Sequence, residues 1–317
     1  MNKTHVIIIF APTASGKTAL MRELFASSGS HFILNNRAEV ISADSMAVYK
    51  ELDIGTAKPD TEFCRLIPHH LINMTDYKTQ FSVADFINSA DFCAQEIWSR
   101  GKVPVVAGGT GFYIRSFLLG LPETPESDPV LRNNLKERVK SEGREKLYAE
   151  LLQKDSESAK KIHPNDEYRI LRALEVYYLT GKPRSSFMLS DDFRKEYDFC
   201  PVFLEPQRDL LFRRIKERVD EMFESGLERE VKNLIENGAR AEDPGMQAIG
   251  YREFFLNENP DEIKKMIVHN SCKYAKKQYT YLRDLPECTV IPYTGSKEDI
   301  DRVKALISDF ILSKNVL

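Results

Sequence analysis

The stretch of this chain richest in chemistry is Ala11-Pro12-Thr13-Ala14-Ser15-Gly16-Lys17-Thr18, which follows the continuous apolar run Val6 to Phe10. It fits the phosphate-loop pattern G-x-x-x-x-G-K-[ST] at every position but the first, where Ala11 stands for glycine. Residues of these types at this spacing suit a polyphosphate. Gly16 lets the backbone approach an anion closely, and the amides of Thr13, Ala14, Ser15 and Gly16 with a helix N-terminus would cradle it. Lys17 would supply a point charge, and the Thr18 hydroxyl would hold a magnesium ion. The alternative is an ordinary strand-turn-helix with a chance lysine. The order of buried strand, loop and helix speaks against it, but the loop alone does not name the phosphate.

Further chemistry clusters where strands should end. Val40 to Ala43 reads as a strand delivering Asp44-Ser45-Met46-Ala47 to its C-terminal end, the edge of an open sheet at which ligands bind. Asp44 is a candidate acid or base there, although capping a helix or standing behind magnesium would serve equally well. Val103 to Ala107 runs into Gly108-Gly109-Thr110-Gly111, a second glycine-rich turn that could line the same cleft. Arg214 and Arg218 share a helix face and could clamp an anion, or could pair with Glu217, Asp220 and Glu221. His69 and His70 would point to opposite faces of a strand, which favours structural roles over a shared metal.

The elements that must position these groups alternate strand and helix over the first 120 residues, which predicts an α/β class with a parallel sheet. The first helix is expected over Ala19 to Ala26, ended by the Ser27-Ser28-Gly29-Ser30 cluster. Ser82 should cap a helix running to Arg100. Pro122, Pro125 and Pro129 mark a boundary, after which helical spacing dominates until about Phe199. The expected domains are 1–122 as the first part of the core, 123–197 as a helical insertion, and 198–317 as the rest of the core. The insertion carries Arg132, Arg169 and Arg172 among its basic residues, suited equally to a phosphate backbone and to solvent. A long helix over Asp261 to Leu282 interleaves Lys273, Lys276 and Lys277 with Tyr274, Tyr279 and Tyr281, a pattern that fits looped RNA.

The 45 basic and 48 acidic residues among 317 leave a net charge of −3, so no overall basic field announces nucleic acid. Five scattered cysteines suggest neither a zinc site nor a disulfide framework. No apolar run approaches the ~20 residues that cross a bilayer. The expectation is a cytoplasmic protein with no membrane partner, lacking a signal peptide because the N-terminus runs straight into the loop.

Together these motifs resemble one family, the tRNA dimethylallyltransferases, over nearly the whole chain. The resemblance is carried by the phosphate loop, Asp44-Ser45-Met46, Asp53-Ile54-Gly55-Thr56-Ala57-Lys58-Pro59, Gly108-Gly109-Thr110-Gly111, Arg169-Ile170-Leu171-Arg172-Ala173-Leu174-Glu175, Gly245-Met246-Gln247-Ala248-Ile249-Gly250-Tyr251 and Tyr274-Ala275-Lys276-Lys277-Gln278. It implies a P-loop NTPase-like parallel sheet core with a helical insertion domain, and transfer of a dimethylallyl group from dimethylallyl diphosphate to the exocyclic amine of the adenosine 3′ of the anticodon. Thr13 to Thr18 with magnesium, and Arg218, would hold the leaving diphosphate. Asp44, Thr110 and Lys17 would be catalytic. The adenine would be flipped into a channel between core and insertion. Asp44, Ser45, Met46, Ala47, Thr110, Arg132, Arg169, Arg172, Met246, Gln247 and Gly250 would meet the anticodon stem-loop of tRNA, and a monomer is the expected state. Ala11, Ala47 and Tyr281 depart from the family's usual glycine, glutamine and tryptophan. Rival readings are a transferase acting on free adenine nucleotide, a phosphate-loop kinase or NTPase, and an RNA-binding protein without turnover.

Overall fold

The structure is a computed structural model that describes residues 3–26, 31–187, 191–283, 285, 287–314 and 316. The turn expected over Ser27 to Ser30 lies outside the described residues. The chain divides into two compact units, one of residues 1–118 with 193–317 and one of residues 119–192. The sequence set the corresponding bounds at 123 and 197.

The first unit is built on β1 (Thr4–Phe10), β2 (Ala38–Ser42), β3 (His69–His70), β4 (Val103–Gly108), β5 (Tyr197–Glu205) and β6 (Thr289–Pro292). They form one sheet in the order β3-β2-β4-β1-β5-β6, with every pairing parallel. Its helices are α1 (Lys17–Phe25), α2 (Thr61–Leu66), α3 (Val83–Ser99) and α4 (Gly111–Leu119), then, beyond the second unit, α9 (Arg208–Glu224), α10 (Leu227–Glu236), α11 (Pro260–Arg283) and α12 (Lys297–Ser313). This is the P-loop NTPase-like α/β core. Val6 to Phe10 are at most 1% exposed, as β-branched and aromatic residues on a central strand covered on both faces should be. Ser82 caps α3 in a reciprocal capping box with Asp85, which accounts for the start of that helix. Sequence patterning missed α2 and α10. His70 accordingly has a structural role: its Nε2 lies 2.8 Å from the buried Glu39 carboxylate, which Arg100 and Lys102 also bind.

Three adjacent strands, β2, β4 and β1, end in the three turns that carry the candidate chemistry, and backbone hydrogen bonds tie neighbouring turns together. Ala11 N–H donates to the Gly108 carbonyl at 3.3 Å, and Thr110 N–H to the Ala43 carbonyl at 3.1 Å. A Cβ on Gly108 would stand 2.1 Å from the Ala43 oxygen, so glycine is required there by closeness of backbones. Gly108→Ala is therefore expected to destabilise the protein by about 3 kcal/mol, read as a lowered denaturation midpoint.

The second unit packs α5 (Pro129–Glu142), α6 (Arg144–Lys154), α7 (Ser156–Lys161) and α8 (Glu167–Thr180) around Leu135, Leu147, Leu151, Ile170 and Leu174. Asp128, Asp155 and Asp166 accept from backbone amides as the N-caps of α5, α7 and α8. Inside it the fully buried Glu175 accepts from Ser127 Oγ at 2.6 Å, Asp128 N at 2.9 Å and Arg172 Nη1 at 2.8 Å, with Arg132 Nη2 at 3.5 Å. Arg172 also donates to the Pro125 carbonyl, and Arg132 lies over the Tyr168 ring. The charges of Arg132 and Arg172 thus have an internal counter-ion, whereas Arg169 is exposed and, among the described residues, pairs with Asp166 at 3.2 Å. Glu175→Ala should cost about 3–5 kcal/mol, because two half-buried guanidinium groups would lose their partner. A thermal melt would show it.

Candidate active site

At the C-terminal edge of the sheet the first unit holds a cavity of about 370 Å³ lined by Thr13 to Thr18, Asp44, Ser45, Met46, Arg218, Gln247, Tyr274 and Gln278 among others. Along the phosphate loop, Ala14 (φ 58°) and Gly16 (φ 92°) take left-handed conformations that turn the chain before α1 begins at Lys17. Ser15 N–H bonds the Pro12 carbonyl, and its buried Oγ has no hydrogen-bond partner among the described residues. Burial pulls the Lys17 ammonium below the ordinary lysine range, the Asp44 carboxylate opposes that, and Arg218 adds to it. Two cations thus face one carboxylate, leaving the site net positive before an anion arrives.

Across the cavity, Asp44 sits two residues beyond β2. Its Oδ1 accepts from the amides of Met46 at 2.9 Å and Ala47 at 3.3 Å, which fixes the turn, while its second carboxylate oxygen has no partner among the described residues. One half of the carboxylate is structural and the other is available. The Thr110 hydroxyl stands behind this turn rather than on the cavity wall. It accepts from Ser45 N–H at 3.0 Å and lies 3.3 Å from Ser45 Oγ.

Arg214 and Arg218, four residues apart on α9, both reach the phosphate loop, as their shared face predicts. Arg214 Nη1 donates to the Ser15 carbonyl at 3.2 Å and Arg218 Nη1 to Thr13 Oγ1 at 2.9 Å. Arg218 also donates to the Thr56 carbonyl at 3.3 Å. The Asp53 to Lys58 loop that presents Thr56 is held from below: Glu230 accepts from the amides of Ile54 and Gly55, and the Tyr251 hydroxyl accepts from Gly55 N–H at 3.1 Å while donating to Glu230 at 2.6 Å. A Cβ on Gly55 would stand 2.4 Å from the Tyr251 ring, which explains the glycine of that motif.

An apolar part of the wall is formed by Ile215, Val219 and Met222 of α9, Ile249, and Ile267 of α11, with Arg252 and Ser271 also lining the cavity. Of the residues grouped by sequence as one RNA-facing set, Asp44, Ser45, Met46 and Gln247 line the cavity, while Ala47, Met246 and Gly250 do not. Met246 is fully buried, Ala47 is 3% exposed, and Gly250 (φ 103°) packs its turn against Gly55. The three tyrosines of α11 also part company. Tyr279 is a core residue whose hydroxyl donates to the Pro206 carbonyl, Tyr281 covers Gly111, and Tyr274 stands on the cavity wall. Sequence reasoning gave no part to Gln278 or Tyr274 individually. Their signal was only their place within a family motif, since a buried glutamine on a helix looks the same as an exposed one until its neighbours are known.

The residues present suit a magnesium ion of the kind that keeps water and phosphate ligands. The Thr18 hydroxyl opens to the cavity with no partner among the described residues, and no group of three His, Cys, Asp or Glu side chains forms a protein cage there.

With this geometry in place, the comparisons are informative. The family model described as IPP transferase matches residues 47–285. A tRNA dimethylallyltransferase of Geobacter sulfurreducens is 39% identical over 307 residues, covering 95% of this chain and 96% of the relative. One from Sulfurihydrogenibium is 44% identical over 284 residues, covering 88% and 89%. Among solved structures, the tRNA isopentenylpyrophosphate transferase of Bacillus halodurans superimposes with a TM-score of 0.69 at 34% identity, covering 99% of this chain and 98% of that one. A eukaryotic dimethylallyltransferase acting on tRNA superimposes with a TM-score of 0.82 at 28% identity, covering 98% and 80%. By sequence over nearly its full length and by fold, the chain belongs to the IPP transferase family.

Proposed function

We propose that this protein transfers a dimethylallyl group from dimethylallyl diphosphate to the exocyclic amine of the adenosine 3′ of the anticodon in tRNA, releasing diphosphate. The observation that carries this reading is one cavity with a cationic phosphate loop, a carboxylate with a free oxygen and an apolar wall. The diphosphate would lie against the amides of Ala14 and residues 16–18 with Lys17 and Arg218 countering its charge, and the five-carbon chain against Ile215, Val219 and Ile267. The allylic carbon–oxygen bond breaks with its electron pair leaving on the diphosphate, the adenine nitrogen bonds to that carbon, and the amine proton passes to Asp44. Preorganised cations at the departing oxygen stabilise the charge that develops there. Magnesium, held by the Thr18 hydroxyl and the diphosphate, would neutralise part of that charge when bound. Thr110 acts by holding the Ser45 amide, and thereby the turn that aims Asp44.

Arg132, Arg169 and Arg172, with the Ser45 to Ala47 and Met246 to Gly250 turns, are the proposed RNA-contact regions; Arg169 has the most exposed of the three arginine side chains. Incubation with magnesium, labelled dimethylallyl diphosphate and either tRNA or AMP tests the reading. Label in tRNA alone supports it. Label in AMP would move the protein to nucleotide prenylation, and ATP hydrolysis with label in neither would make it an NTPase.

A further inference from the structure

Among the polar side chains of the cavity wall, the prenyl-transfer reading leaves Gln278 of α11 without a part. Gln278 is 3% exposed and makes two bonds to two different turns. Its Oε1 accepts from Thr13 N–H at 3.1 Å, and its Nε2 donates to the Gly109 carbonyl at 2.6 Å. Thr13 N–H is therefore committed to Gln278, so the anion cradle depends on the remaining amides of the loop. A Cβ on Gly109 would stand 2.6 Å from that same Nε2, so the second glycine of the β4 turn makes room for the glutamine. Gly109 is followed directly by Thr110 in the same turn.

Thr110 in turn accepts from the Ser45 amide beside Asp44. These contacts run from Thr13 through Gln278 to Gly109 and, one residue further along the same turn, from Thr110 to Ser45. Among the described residues no backbone hydrogen bond joins residues 12–18 to residues 44–47 directly. The two halves of the reaction, departure of the diphosphate and deprotonation of the amine, sit on these two separate turns.

We propose that Gln278 is a positioning residue for the transfer, holding the leaving-group loop in register with the turn that carries the Asp44 carboxylate. The inference rests on the prenyl-transfer reading, and the two fail differently: wild-type protein that does not prenylate tRNA sinks that reading, whereas this one is judged on variants of an active wild type. Gln278→Met keeps length and loses both hydrogen bonds. Misplacement of the turns by a fraction of an ångström to one ångström should lower kcat about 10²-fold. Lys17 and the α1 N-terminus are untouched, so KM for dimethylallyl diphosphate should stay within about threefold.

All rates are normalised to folded protein measured by circular dichroism. The proposal is overturned by a Gln278→Met kcat within about twofold of wild type or by a loss carried by KM alone.

Discussion

Asp44→Asn is expected to slow prenyl transfer about 10³-fold while leaving the fold and the affinity for diphosphate in place. The asparagine carbonyl can still accept from the amides of Met46 and Ala47, so the turn that Asp44 Oδ1 organises survives. Lost is the second carboxylate oxygen, which has no partner among the described residues. An adenine amine is a weak nucleophile whose lone pair is drawn into the ring, and removal of its proton during attack is worth about 10²–10⁴-fold when a base is correctly placed. Single-turnover rates with saturating tRNA measure the loss, and calorimetry with inorganic diphosphate and magnesium measures the binding that should remain. Asp44→Ala should add a stability loss of about 1 kcal/mol, since the two amides then lose their acceptor. Near-normal turnover in Asp44→Asn would place the base elsewhere.

The second large effect is expected of Lys17→Met, with kcat/KM for dimethylallyl diphosphate falling about 10²–10³-fold. Lys17 begins α1 immediately after Gly16, in a site where burial disfavours its charge and Asp44 supports it. An arriving diphosphate supplies much more of that support, and the charge on its bridging oxygen grows as the carbon–oxygen bond breaks. Lys17 therefore stabilises the transition state more than the bound substrate, and the loss should appear in kcat as well as in KM. Lys17→Arg should not restore activity, because a planar guanidinium does not fit where a compact ammonium stands beside Arg218. A variant affected in KM alone would mean that Lys17 binds but does not assist departure.

Glu175 shows where sequence reasoning stops. Arg132 and Arg172 look like phosphate ligands or solvated surface when read along helical spacing, and nothing in that spacing says that a carboxylate three residues beyond Arg172 is fully buried and binds both. Tyr279 is similar: its neighbours in sequence are basic, yet it lies in the core. Helical patterning does better where burial is one-sided, as in α8 (Glu167–Thr180) and α9 (Arg208–Glu224), whose buried residues recur at helical spacing. α2 escapes it because six residues carry little periodicity beside the loops around them, whereas α10, with Leu227, Val231 and Leu234 buried at helical spacing, carried a pattern that could have been read.

What the sequence determined by itself is therefore the local chemistry: the phosphate loop after an apolar strand, the acid after the second strand, the glycine turn after the fourth, and the family that these motifs share. Each is a short-range feature, written in residues that are neighbours in the chain and governed by backbone geometry close by. The tertiary structure alone decided which of these groups meet. Strand order β2-β4-β1 sets the glycine turn between the acid and the phosphate loop, the close approach of Gly108 to Ala43 joins them, and α9 and α11, some 200 residues onward, bring Arg218, Tyr274 and Gln278 to the same cavity. Those contacts depend on the packing of surfaces distant in sequence, and no local periodicity encodes which side chain will be buried beside which.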